Sequence, residues 1–184
     1  LPIFLPTMFP FRFPILPWLM AATLLTLSAC SRKPAPPFDP APYQTPGAAA
    51  VLRHVLAEAR AAQADSKVGI IVLGERLNDA TPEFCRQFED TGITWHRGAD
   101  MTQVWVGPVA RVIEKSTKLQ PLQLQVVSAT KRDPSSATSP EEVVAAWAFE
   151  DRMARRRYLA TPGTDGAWTI QKLATLEQKP QVVP

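Results

Sequence analysis

The chain has 184 residues and a formal charge of +3 at pH 7. That is too mild for the phosphate neutralisation that nucleic-acid binding requires, and no nucleic-acid partner is expected. Two cysteines and two histidines leave neither a disulfide framework nor the three or four convergent ligands of a metal site, so no metal and no cofactor is expected.

Taken in order, the chain opens with an apolar run, Ile15 to Ala29, that ends in Leu27-Ser28-Ala29-Cys30. Its 15 residues span roughly 22 Å as a helix at about 1.5 Å each, short of a hydrocarbon core of about 30 Å. An ordinary secretory site wants small residues at the last and third-last positions before the cut, and Leu27 occupies the third-last place. The four residues instead resemble the lipobox of bacterial lipoproteins, in which a large aliphatic residue, two small residues and a cysteine are read by a lipid transferase and a dedicated signal peptidase. The resemblance implies cleavage before Cys30, acylation of that residue (palmitate among the chains), and a protein anchored in the membrane without spanning it. Ser31, where an aspartate would retain the protein at the inner membrane, implies a lipid anchor on the periplasmic face of the outer membrane. Residues 1–29 are therefore expected to be a signal peptide, with Met8 as its start.

From Pro34 to Pro46 there are six prolines, and 31–45 holds almost no aliphatic side chains. Residues 30–46 are expected to be a lipidated terminus and extended tether, holding the domain up to roughly 40 Å from the lipid at about 3.1 Å per residue. Residues 47–177 form the expected single domain and 178–184 a frayed tail.

Within the domain, Val51, Leu52, Val55, Leu56, Ala59 and Ala62 recur at three and four, which predicts a helix over Gly47 to Gln63, with His54 paired to Glu58. Lys67 to Leu73 is a continuous apolar run that suits a strand buried on both faces. Thr81-Pro82-Glu83 opens a short helix that Gly92 stops, with Cys85 packed between Phe84 and Phe88. The period then becomes two, and strands are predicted at Ile93 to His96, Gln103 to Val106, Val109 to Glu114 and Leu122 to Val126. Ser139-Pro140-Glu141-Glu142 fits a helix cap, yet a helix there would carry Glu150, Asp151 and Arg155 into its apolar stripe. A strand over Val143 to Phe149, paired with Leu122 to Thr130, is the better reading. Pro162-Gly163-Thr164-Asp165-Gly166 turns a last hairpin, with Trp168 and Ile170 inward.

The expected architecture is α+β: one long and one short N-terminal helix packed on an antiparallel, meandering sheet of about five strands. Its element order is similar to the cone-shaped domains related to nuclear transport factor 2, which would imply a small enzyme or ligand carrier. No catalytic residue is assigned. Cys85 with His96 or His54 could in principle form a nucleophilic pair, but nothing in the sequence brings them together. Arg152, Arg155, Arg156 and Arg157 are the densest charge feature and the candidate patch for an anionic ligand, with Arg155 and Arg157 on one strand face and Arg156 with Tyr158 on the other. Trp95, Trp105, Trp147 and Trp168 are expected mostly in the core. The leading functional expectation is a non-catalytic lipoprotein whose domain binds an envelope protein or polymer. An immunity or hydrolase-inhibitor protein is a further alternative.

Overall fold

The structure is a computed structural model that describes residues 36–180, with side chains to 177. The expected signal peptide, the lipobox-like residues and Cys30 lie outside the described residues, as does 181–184. A compact unit begins at Phe38.

Folded structure starts earlier than the end of the proline-rich stretch. Ala41–Tyr43 makes a 3-10 turn, Phe38 and Tyr43 stack with ring centroids 5.4 Å apart, and Tyr43 packs against the core. Helix α1, Pro46–Ala61, places proline at its first turn, where no amide partner is lost. Thr45 caps it by accepting the Ala48 N–H at 3.1 Å and donates its own hydroxyl hydrogen to the buried Glu141 carboxylate. Val51, Leu52, Val55, Leu56 and Ala59 are buried as the spacing predicts. Each large aliphatic side chain withdrawn from water contributes about 1.5–3 kcal/mol, which secures α1 to the sheet far better than its helix propensity could.

The remaining elements are β1 Val68–Leu73, β2 Asn78–Asp79, α2 Pro82–Arg86, β3 Thr94–His96, β4 Met101–Val106, β5 Val109–Glu114, β6 Leu122–Lys131, β7 Glu141–Phe149, β8 Arg152–Pro162 and β9 Trp168–Pro180. The main sheet runs β2-β1-β6-β7-β8-β9, with β3 also pairing β1. Its β1 pairs are parallel with β6 and β3, and those from β6 to β9 are antiparallel. α1 packs on β6 to β9, and Leu122, Leu124, Val126, Val143, Ala145, Trp147 and Tyr158 line the layer beneath it. On the opposite face Ile70 and Val72 are also buried.

The expectation of two helices on a five-stranded antiparallel meander is corrected. The sheet has seven strands and is mixed, β4 and β5 form a second sheet of their own, and α2 is only five residues long. The physical reason lies in β1. Six consecutive buried residues are the signature of a strand covered on both faces, and this one takes β6 and β3 as parallel neighbours, each reached by a crossover, besides the short antiparallel β2. That crossover, from β1 to β6, holds α2, β3 and the β4–β5 hairpin, which sequence alternation alone assigned to one continuous meander. The strand reading of Val143 to Phe149 holds, with Trp147 opposite Leu124. The frayed-tail expectation is corrected for 178–180, which pair with 152–154.

Candidate binding groove

The β4–β5 hairpin stands over the face of the main sheet that α1 does not cover, and a groove of about 400 Å³ lies between them. Ile70 and Val72 of β1, with Ala148 of β7, supply the apolar floor and Gln123 of β6 a polar one, while Phe149, whose ring packs against the core, borders the cavity at the end of β7. The wall is Met101 and the four consecutive residues Val109–Val112. Four residues of β5 border the cavity but only Met101 of β4 does, so it lies on the β5 side of the hairpin. Asp79, Glu150 and Asp151 bring carboxylates to the rim, and Arg111 brings one cation.

The hairpin is fastened at both ends. On entry, the Gly98 N–H donates to Asp79 Oδ1 at 2.7 Å, an approach so close that a Cβ at Gly98 would stand 2.9 Å from the same oxygen. On exit, the buried Glu114 carboxylate accepts the Ser116 and Thr117 amides at 2.8 and 2.6 Å and both hydroxyls at 2.7 Å. The Ser116 amide, its hydroxyl and the Thr117 donors hold the Glu114 pKa down to about 2, because every bond favours the charged form. Two residues around the groove are held in the left-handed region, Leu77 at φ 54° and Glu150 at φ 54°. Non-glycine side chains occupy that region at a cost of order 1 kcal/mol or more, and such residues concentrate at functional sites. The groove is flanked by exposed apolar side chains: Leu77, Val112 and, on the hairpin, Trp105 at 71% and Val106 at 55% exposure. Trp105 thus departs from the inward placement expected of the tryptophans, whereas Trp147 is buried and the Trp95 indole donates to the Phe88 carbonyl at 3.0 Å.

The four arginines expected to form an anionic-ligand patch are distributed. Arg152 donates to the Ala62 and Gln63 carbonyls at the end of α1, where a cation suits the helix terminus. Arg155 pairs with Glu75 at 2.6 Å and Arg157 with Glu142 at 3.3 Å. Arg156 turns the other way, as the alternation predicts, and pairs with Glu58 below α1. Tyr158 donates to the same carboxylate at 2.8 Å, and His54 lies 3.6 Å from it. Burial works to raise the Glu58 pKa, but the hydrogen bonds from Tyr158 and Arg156 outweigh it and leave the carboxyl below its ordinary value. Burial first, then Glu58, pushes the Tyr158 hydroxyl up. This cluster fastens α1 to β8.

Cys85 and His96 do share a second depression, of about 510 Å³, with Trp95 and Arg97. Among the described residues no hydrogen bond joins thiol and imidazole, and burial followed by the charge of Asp79 pushes the thiol pKa up, against the thiolate that nucleophilic chemistry needs. No group of three or more His, Cys, Asp or Glu side chains converges among the described residues, and no described helix is long and apolar enough to cross a membrane. The groove had no motif to announce it. The signal that could have found it was the apolar Trp105-Val106 run before Gly107-Pro108, in a hairpin too short to have a core of its own. No family model matches the chain, no curated protein matches its sequence, and no solved structure matches its fold.

Proposed function

We propose that this chain is a non-catalytic bacterial lipoprotein, acylated at Cys30 and held on the periplasmic face of the outer membrane, whose domain binds an envelope protein or polymer in the groove beside β5. One observation carries the binding half of the reading: a cleft of about 400 Å³ with an apolar floor and a charged rim, within the range of ligand sites, walled by a hairpin fastened at both ends. The lipobox and the proline-rich residues after it support the anchoring half. Two or more acyl chains, at about 0.8 kcal/mol per buried methylene, make membrane residence durable.

The test compares crosslinked complexes purified from intact cells for the unaltered chain, Cys30→Ala and Ala148→Trp. Ala148 lines the groove, and a large ring there fills it while β7 keeps its pairing. Mass spectrometry should find fatty groups on Cys30, and both variants should lose a specific crosslinked species, the first by release from the membrane and the second with the protein still anchored. An unmodified terminus would remove the anchor, and undiminished crosslinking of the Ala148→Trp form would remove the groove.

A further inference from the structure

The β4–β5 sheet has only two strands, so β5 pairs with β4 on one side and, among the described residues, with no strand on the other. The cavity lies on that side of the hairpin, since Val109, Ala110, Arg111 and Val112 of β5 border it and of β4 only Met101 does. An unpaired edge presents backbone N–H and C=O groups ready to bond another chain, and native proteins usually blunt such edges with charge, bulges or a covering element. The long edge strand β9 is managed in that way. Its register with β8 skips Leu173 and Leu176, so two bulges interrupt it. β5 pairs with β4 over all six residues without a bulge.

Charge selects among the chains that could pair there. Glu150 and Asp151 sit at the β7–β8 turn, both exposed, and neither makes an ion pair among the described residues. Asp79 is already engaged by the Gly98 amide and stands 3.9 Å from the Arg97 guanidinium. The two unpaired carboxylates at the turn exceed the one rim cation, Arg111, so the groove favours a basic guest. Its floor, Ile70, Val72 and Ala148, favours an apolar one.

Resting on the groove reading above, we propose that β5 takes up an extended segment of another polypeptide as a third strand. Apolar side chains of that segment face Ile70 and Val72, and its lysine or arginine side chains meet Glu150 and Asp151. Recognition would be by β-augmentation: main-chain hydrogen bonds supply affinity, and alternate side chains supply selectivity.

The test uses defined peptides on the intact protein. The probe is acetyl-Lys-Val-Lys-Val-Lys-Val-Lys-amide, compared with the same peptide carrying glutamate for every lysine and with one whose central valine is proline, which cannot donate at that position. Binding is followed by backbone amide shifts in NMR. The basic peptide should shift Val109–Val112, bind at least tenfold more tightly than either control, and weaken at least fivefold with Glu150→Gln/Asp151→Asn, a surface change that leaves the fold intact. Equal binding of the proline peptide would overturn strand addition, equal binding of the acidic peptide would overturn the charge argument, and no binding at millimolar peptide would overturn both. Self-association of the free chain through the same amides, seen by sedimentation and abolished by Ala148→Trp, would replace the foreign segment by a second copy and overturn the proposal too. Failure of the peptides with crosslinking at the groove intact would remove strand addition and leave the groove reading standing.

Discussion

At the scale of single residues, Glu150 stands out, because a β-turn position at φ 54° would be cheaper for glycine. Its carboxylate also has no ion-pair partner among the described residues, so the strain is not offset by a local bond of that kind. Glu150→Gly is expected to leave stability unchanged or raise it by at most about 1 kcal/mol, as judged by urea denaturation, while weakening the binding of basic peptides. A loss of stability larger than about 0.5 kcal/mol would show that the side chain serves the fold instead. Gly47 illustrates the opposite dependence. A Cβ there would come within 2.5 Å of Glu141 Oε2 and 3.1 Å of Glu141 Cβ, and that side chain is buried with its carboxylate bonded to Thr45. Gly47→Ala should therefore cost about 1–3 kcal/mol despite the better helix propensity of alanine. A stabilised variant in the same denaturation experiment would show that Glu141 can swing aside.

At the scale of elements, the hairpin depends on a carboxylate. The folded-state pKa of Glu114, about 2, lies below its ordinary value of 4.5. Its contribution to stability is complete above that ordinary range and is lost as the pH falls from there toward 2. Glu114→Gln should be less stable than the parent at pH 7, and the gap should narrow between pH 5 and pH 2. Hydrogen exchange of the β4–β5 amides should report the same convergence, and a constant gap across that window would show that the carboxylate is not what fixes the hairpin exit. The elements themselves were unevenly legible. The stripe from Val51 to Ala59 gave α1, and the alternation of Leu122, Leu124 and Val126 gave the β6 core face, because each buries one side against a continuous partner. The same logic placed Arg156 with Tyr158 apart from Arg155. The hairpin was legible as two strands but not as a separate sheet, since alternation records which way a side chain points and not which strand lies beside it. β2, two residues long, is below the length at which any period shows.

At the scale of the whole molecule, the β1–β6 crossover decides where function can sit. Parallel pairing of β1 with β6 requires the chain to leave the sheet and return, and the excursion carries the hairpin over the face that α1 leaves open. The groove is thus assembled from β1, β5, β6 and β7, and no contiguous stretch of sequence contains it, which is why residue patterns revealed its parts and not the site. The arginines and the Cys85 thiol, the conspicuous chemical features of the sequence, are taken up by packing and ion pairs in the fold.

The most direct test of the groove is site-specific photocrosslinking in intact cells, with a photoreactive residue in place of Val112 and, as a reference, in place of Arg86 on the exposed side of α2. A discrete adduct from position 112 that is absent from position 86, and that disappears when Ala148→Trp is added, is the expected result. Identical adduct patterns from the two positions, or an adduct at 112 that persists in the filled groove, would contradict it.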